Sequence, residues 1–439
     1  MRRAIVVVLL GAVLHLGQSD GVEAKDLSKG LVDATDIKLD VNPVNGVPHQ
    51  AHFVSAASAT FGLLVKQLAP SAADFPATST VPGFTFRYNP QLQVFERSSS
   101  SLGPVFVERP LTVGRGKFEL GMSFLYVDFK DLDGDSLDGL KFSDLGHNDC
   151  CNAVRPPPSP GFPTFEDDTA DLKFENFELY SYVLSFFATY GITDRWDVNF
   201  LIPVIFTTMD IKTRQTLGNE SGTNTHFFNV ATQQRVRFTN FDDSKTGVGD
   251  ILLRTKYHLY ERDGFNLAGG LTLRVPSGDE DNFQGLGDTT LMPFWAFAKE
   301  YGRFDFHVSS GIEFDFDDSD RNRIRYGGGV TLQLIENVAF LVDIVGSSGL
   351  KKDRISQTVT QFVNSGGSSE GTPTTIPTSI TVHDTLRTDI VDLNVGFKTS
   401  LLNPQSRYSI VAFSTVFVPL NNDGLRADWI PAFGVEVGF

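Results

Sequence analysis

The sequence predicts an all-β protein: a transmembrane antiparallel β-barrel of about 12 strands, with 14 as the alternative, preceded by an N-terminal periplasmic or plug segment. Three observations predict it. Residues 429–439 (WIPAFGVEVGF) put Trp429, Pro431, Phe433, Val435, Val437 and Phe439 on one strand face, with Ile430, Ala432, Gly434, Glu436 and Gly438 on the other. The same period-2 alternation recurs from Phe118 onward. The links between alternating segments are short after even-numbered segments and longer after odd ones. In water, a terminal apolar strand would be an aggregation-prone edge. In a bilayer it closes a barrel, because hydrocarbon leaves no backbone group unpaired.

Composition agrees. The chain has 439 residues, a net charge of −16 and 41% hydrophobic residues, with a mean hydropathy of −0.08. That is too polar for a bundle of membrane helices, and beyond the N-terminus no run of about 18–20 uncharged apolar residues occurs. Barrel strands escape hydropathy plots because half their side chains are polar. Phenylalanine, at 38 copies, suits strands and lipid interfaces. The acidic balance argues against a nucleic-acid partner. Two cysteines exclude a disulfide framework. They are adjacent, Cys150 and Cys151, and read as a pinned surface loop rather than a redox or metal site.

Taken in order, Met1–Ala24 reads as a secretory signal, with Arg2 and Arg3 before the apolar Ile5–Leu16 and a small-residue site at 22–24. Residues 25–115 lack barrel alternation. Ala51–Leu68 suits a short helix and 70–82 a linker. The whole stretch is expected as a periplasmic extension or a lumenal plug, the alternative being that Phe84–Glu96 adds two strands. The barrel is expected over 116–439.

The first strand carries Phe118, Leu120, Met122, Phe124 and Tyr126 outward. The second carries Tyr180, Tyr182, Leu184 and Phe186, and turns at Gly191–Arg195 into the third, with Trp196, Val198, Phe200, Ile202, Val204 and Phe206. The fourth, from about Asp250 to Tyr260, and the fifth, Phe265 to Val275, meet at Arg262-Asp263-Gly264. The sixth uses Leu291, Pro293, Trp295 and Phe297. The seventh alternates most cleanly: Phe304, Phe306, Val308, Ile312, Phe314 and Phe316 against Asp305, His307, Ser309, Gly311, Glu313 and Asp315. The eighth and ninth join at 335–337, the tenth runs through Val391–Phe397, the eleventh over about 407–418, and the C-terminal stretch is the twelfth. Links after the first, third and ninth strands are long, at about 130–175, 209–247 and 349–385. Short turns on one side and long loops on the other is the asymmetry of a bacterial outer-membrane barrel, whose even strand count leaves both ends periplasmic.

Alternation also nominates a lumen wall. Arg254, Lys256, Arg274, Arg323, Arg325 and Lys398 face inward with Asp305, His307, Glu313, Asp343, Asp389, Asp392 and Glu436, a set that would tune pore selectivity or fill the lumen with salt bridges. Val183, Phe187, Leu201 and Ile205 would add an apolar slide. Phe433, Val435, Val437 and Phe439 form the C-terminal pattern that barrel-assembly machinery is expected to read. The acidic loop 131–139 (DLDGDSLDG) fails the EF-hand pattern because position 12 is Phe142. It reads as a solvated loop, as do Asp279-Glu280-Asp281 and the cluster 315–320. His258 and His307 are the lumenal histidines, but no Ser/His/Asp spacing, GxSxG, HExxH, Walker loop or CxxC accompanies them. No catalytic residue, metal or cofactor is expected.

The stretches GITDRWDVNFLIPVIF (191–206), GVGDILLRTKYHLY (247–260) and LTLRVPSGDEDNFQGLGD (271–288) resemble repeated elements of the outer-membrane proteins associated with meta-pathway phenol degradation. That group is loosely related to the long-chain fatty-acid channels, and the resemblance spans roughly 105–439. It implies a bacterial outer-membrane channel for passive uptake of small, hydrophobic or aromatic molecules, with outer-membrane lipid, lipopolysaccharide and the assembly machinery as partners. The alternatives are a structural or adhesive barrel with a filled lumen, or a barrel hydrolase.

Overall fold

The computed structural model describes residues 25–40, 68, 71–81, 86–89, 94–97, 101–146, 169–218, 227–351, 389–402 and 408–439. The signal segment, most of the 51–68 helix, and Cys150 with Cys151 lie outside them. Twelve strands close the barrel: β1 Phe118–Leu132, β2 Thr169–Thr193, β3 Trp196–Leu217, β4 Ile251–Arg262, β5 Phe265–Val275, β6 Thr290–Tyr301, β7 Phe304–Asp315, β8 Arg323–Ile335, β9 Val338–Gly349, β10 Asp389–Ser400, β11 Ser409–Pro419 and β12 Ile430–Gly438. Each pairs antiparallel with its sequence neighbours. β12 returns to β1, with Phe433 opposite Phe124 and Val437 opposite Leu120. Phe118 and Phe439 exchange both backbone hydrogen bonds at 3.0 and 2.9 Å, and their rings stack at 6.1 Å. The fold is that of an outer-membrane barrel.

The outer surface is apolar at membrane height. Phe304, Phe314 and Phe433 are 43%, 40% and 48% exposed, an unaffordable arrangement in water and the required one in lipid. Aromatic pairs such as Phe265–Phe297 and Phe340–Phe397 ring the short-turn end, where girdles are expected. That end is built from tight hairpins. Asp263 and Gly264 take φ of 51° and 74°, the two positive values of a type I′ turn.

Among the described residues, the long links after β1 and β3 contain much strand. β2 and β3 run 25 and 22 residues, where about 9–11 suffice to cross. A further strand, Val236–Val248, pairs with the upper part of β3, and Lys141–Gly146 pairs with the upper part of β2. These form a crown outside the membrane. Along β3 the two faces exchange character. Within the membrane Phe200 and Ile202 point out and Asp197 and Asn199 point in; above it Asp210, Lys212 and Arg214 point out, while Met209, Ile211 and Leu217 are buried inside.

The crown's apolar interior receives helix α1 (Leu27–Thr35). Its Leu27, Leu31 and Ala34, spaced to share one helix face, pack with Phe174, Phe177, Met209 and Phe283. Gly30 is required there: a Cβ would sit 2.0 Å from the Phe241 ring. The first described residues thus lie at the long-link end, opposite the periplasmic turns. Phe86–Asn89 and Val94–Arg97 pair with one another and with no barrel strand, so Phe84–Glu96 does not enlarge the barrel.

Replacing Val308, mid-strand and outward on β7, with Arg should destabilise the barrel by about 2–4 kcal/mol, the cost of a cation near the bilayer midplane. Urea unfolding in lipid vesicles measures it; an unchanged midpoint would mean this face does not meet hydrocarbon.

Candidate lumenal site

The inward side chains of the barrel are met by residues 71–81 and 101–113, which lie between α1 and the start of β1. Asp74 is the hub on the long-link side. Its carboxylate accepts from Arg325 Nη2 at 2.7 Å and Arg323 Nη1 at 2.8 Å, with Arg274 Nη2 at 3.5 Å. Glu313 on β7 closes the cluster, accepting from Arg325 Nε at 2.6 Å. Burial opposes ionisation of Asp74, but Arg325, Arg323 and Arg274 together override it and hold its carboxyl well below the usual range.

Deeper in the lumen, Lys256 Nζ donates to Thr80 Oγ1 (2.8 Å), Glu108 Oε1 (2.9 Å) and the Arg109 carbonyl (2.6 Å), so all three ammonium donors are used. Burial pushes Glu108 up, yet Lys256 and Arg254 hold it below its ordinary value. Arg254 donates from Nε to Asn199 Oδ1 (2.8 Å) and from Nη1 to the Thr78 carbonyl (2.6 Å).

Toward the short turns, Arg109 lies 3.5 Å from Asp305, and His307 Nε2 meets Asp343 Oδ1 at 2.7 Å with its Nδ1 near the Asp305 carbonyl. Lys398 donates to the carbonyls of Leu102 and Pro104 and stands 4.0 Å from Glu436. Asp392 pairs with Arg426. Asp389 departs from its expected place. It is three residues from Asp392, so it cannot share that strand's face. Ile390 and Asp392 border the lumenal cavity, and Asp389 takes the opposite parity.

That cavity, of about 230 Å³, lies between residues 74–78, the 106–108 stretch and the walls of β4 to β12 and β1. Its apolar lining is Phe75, Phe106, Phe129, Phe294, Phe417 and Ile430, with Phe106 and Phe417 edge-on at 4.7 Å. The expected slide does not line it. Val183 and Ile205 are packed under Val105 and Phe106, while Phe187 and Leu201 pack with Leu252 and Ala77. All four face inward, but the N-terminal segment covers them.

Sequence reasoning missed the partners rather than the wall. Asp74, Glu108 and Arg109 were the isolated charges in small and apolar stretches (AADFPAT, VFVERPL), a signal that could have marked them. It also missed Asp250. Its Oδ1 accepts from Gly278 N (3.1 Å) and its Oδ2 from Leu286 N (2.8 Å), pinning the loop 276–288. Gly278 and Gly285 meet so closely that a Cβ on Gly285 would lie 2.8 Å from Gly278 Cα. Asp279-Glu280-Asp281, read as solvated, instead holds α1 together with Asn282. Asn282 Oδ1 accepts from Leu27 N at 3.1 Å and Asp281 accepts from Ser28 Oγ at 2.9 Å.

In the acidic loop 131–139, Asp133 accepts from Gly424 N and Asp138 from Phe177 N. Asp288, Asp315 and Asp317 bring oxygens within 4.8 Å of one another, but Arg321 pairs with Asp288, and backbone N–H groups of residues 317 and 318 bind Asp315.

Residues 169–327 match the family described as "Putative MetA-pathway of phenol degradation". The match spans β2 to the middle of β8 and contains all three stretches that carry the resemblance. No curated protein matches the chain in sequence. Among solved structures, an outer membrane channel from Pseudomonas putida F1 is 11% identical, with a TM-score of 0.42, over 75% of this chain and 97% of that one. A FadL homologue from Pseudomonas aeruginosa is 8% identical, with a TM-score of 0.32, over 74% and 90%. The Ralstonia pickettii toluene transporter TbuX is 8% identical, with a TM-score of 0.30, over 74% and 89%. Likenesses this distant transfer no property to this chain.

Two outcomes follow from the charged contacts. Asp74→Asn should cost the 71–81 segment about 3–5 kcal/mol, since it leaves three partly buried arginines with Glu313 and the more distant Asp250. Hydrogen exchange of the 71–81 amides measures it. A depressed folded pKa means that the Asp74 contribution is complete above the unfolded value of about 3.9 and is lost only as pH falls through the lower folded one. Wild-type protection should therefore be equal at pH 7 and pH 5 after correction for intrinsic exchange. Asp250→Ala should open the 276–288 loop to proteolytic nicking that the wild type resists; equal resistance would remove Asp250 as its anchor.

Proposed function

We propose that this protein is an outer-membrane conduit for passive entry of small hydrophobic or aromatic molecules, with residues 71–81 and 101–113 as its internal plug. The aromatic-walled cavity inside the barrel carries this reading. A dry cavity of roughly 150 Å³ is enough to bind benzene, so 230 Å³ suits a single substituted ring. The phenol-degradation description of the matched family is in keeping with such solutes. Solute would move down its gradient without covalent chemistry. His307, the most enclosed lumenal histidine, has both ring nitrogens occupied, which supports a transport role over hydrolysis. The plug must shift for passage, since Lys398 and Arg109 tie residues 101–109 across the short-turn end. Phe433, Val435, Val437 and Phe439 would serve as the assembly signal.

A filled structural barrel is the second reading, favoured by the complete pairing of Lys256. Solute entry into proteoliposomes separates the two. Single-ring aromatic solutes should enter faster than sugars of similar size, and faster still through Asp74→Asn. If neither variant admits any solute above protein-free vesicles, the conduit reading is wrong.

A further inference from the structure

We propose that the lumenal cavity is built for a single-ring organic carboxylate, its ring among the phenylalanines and its anionic group on Arg254. This rests on the conduit reading and narrows its solute class.

The argument begins with which charges around the cavity are already matched. Asp74 and Glu313 engage Arg274, Arg323 and Arg325. Asp250 stands 3.8 Å from Arg274, Glu108 is paired with Lys256, and Asp392 with Arg426. Five acids thus meet five cations. Arg254 is the sixth cation. It forms no ion pair within 4.0 Å among the described residues, and its Nη2 has no hydrogen-bond partner. It is 7% exposed and borders the cavity.

The carboxylate that acts on Arg254, Glu108, is shared with Lys256, which it contacts directly at 2.9 Å. A guanidinium taken out of water with only such a shared counter-charge is costly, and an anion brought beside it would offset that cost. A cationic solute would have to strip a carboxylate from its arginine. A neutral ring would leave Arg254 as it is. Phe106 and Phe417, edge to face at 4.7 Å, line the same cavity and offer a ring-sized apolar surface. A planar carboxylate also matches the fork geometry of arginine, which is why the anion expected is a carboxylate.

Benzoate and benzamide differ in charge and hardly in shape, so they isolate the anionic group. Equilibrium dialysis of the purified full chain in detergent, with each compound radiolabelled, should show benzoate bound at least about tenfold tighter than benzamide. Arg254→Gln should bring that ratio to near one and Arg254→Lys should retain a preference, with folding of each checked by heat-modifiable migration. Equal binding of the two compounds by the wild type, tighter benzamide, or no binding of either would overturn the proposal without recourse to a variant. A preference unchanged in folded Arg254→Gln would overturn it as well. Proteoliposome entry of benzamide reports separately on the conduit. Entry without a benzoate preference would sink this inference alone, and selective binding without entry of any solute would sink the conduit and leave the anion site standing.

Discussion

Backbone closure in a medium that offers no hydrogen bonds is the constraint from which the rest of this structure follows. A sheet that spans hydrocarbon must end where it began, and here β12 pairs with β1, down to the reciprocal bonds of Phe118 and Phe439. Once closed, the cylinder sorts its side chains by what surrounds them. β3 displays both regimes on one strand. Its outward face is apolar through Phe206 and charged from Asp210, while its inward face mixes Asp197 and Asn199 with Leu201 and Ile205 lower down and buries Met209 and Ile211 above. The change marks the height at which lipid outside gives way to water, and a lumen holding polar chain gives way to a packed core.

That sorting creates a second problem, which the N-terminal segment addresses. Inward-facing arginines and lysines in a narrow cylinder lose hydration, and each needs an anion or a carbonyl. The barrel alone supplies some, Glu313 and Asp392 among them. Residues 71–81 and 101–113 supply the others: Asp74 to three arginines, Glu108 and the Arg109 carbonyl to Lys256, and the carbonyls of Leu102 and Pro104 to Lys398. Residues 101–113 need no regular secondary structure of their own, because backbone groups there bond to barrel side chains instead. Ion pairs suit such a part better than a greasy seam would. Their geometry fixes register, and they can be exchanged for water or for another anion without exposing a large apolar surface.

What could be read from the sequence divides along the same line. The twelve strands were legible because lipid outside and polar lumen inside impose period-2 alternation, and the lumen-facing identity of Arg254, Lys256, Glu313, Arg325 and Lys398 followed from it. Asp389 was misplaced by ignoring that same parity. The crown was read as loops because its alternation is inverted: Ala170, Leu172 and Phe174 face inward where polar residues had stood lower in the strand. Residues 71–81 and 101–113 carry no period at all. Their positions are set by contacts more than 100 residues away in sequence, such as Arg325 to Asp74 and Lys256 to Glu108, and no local pattern encodes such a partner. For the same reason Val183, Phe187, Leu201 and Ile205 were correctly seen as inward but not as covered.

The stretches that carry the family resemblance take on a physical meaning in this light. GVGD and PSGDEDNFQGLGD do not line the cavity as a binding motif would; they tie a knot at its mouth. Asp250 sits where β4 continues the crown strand. From that junction its two oxygens hold Gly278 and Leu286, and the loop so fixed presents Asn282 and Asp281 to the start of α1. The glycines permit the close approach, and the acids act as hydrogen-bond acceptors more than as charges. A motif of this kind specifies how the outer end of the barrel is roofed, and thereby where the N-terminal chain begins its path into the lumen. It leaves the chemistry of the solute to residues scattered singly over the wall. The resembling stretches reach the cavity wall only through their strand portions, at Leu252 and Arg254 in GVGDILLRTKYHLY and at Thr272 and Arg274 in LTLRVPSGDEDNFQGLGD, with Arg254 four residues from Asp250. Four residues put Asp250 and Arg254 on the same inward face, so one run of chain both anchors the roof and presents Arg254 beneath it.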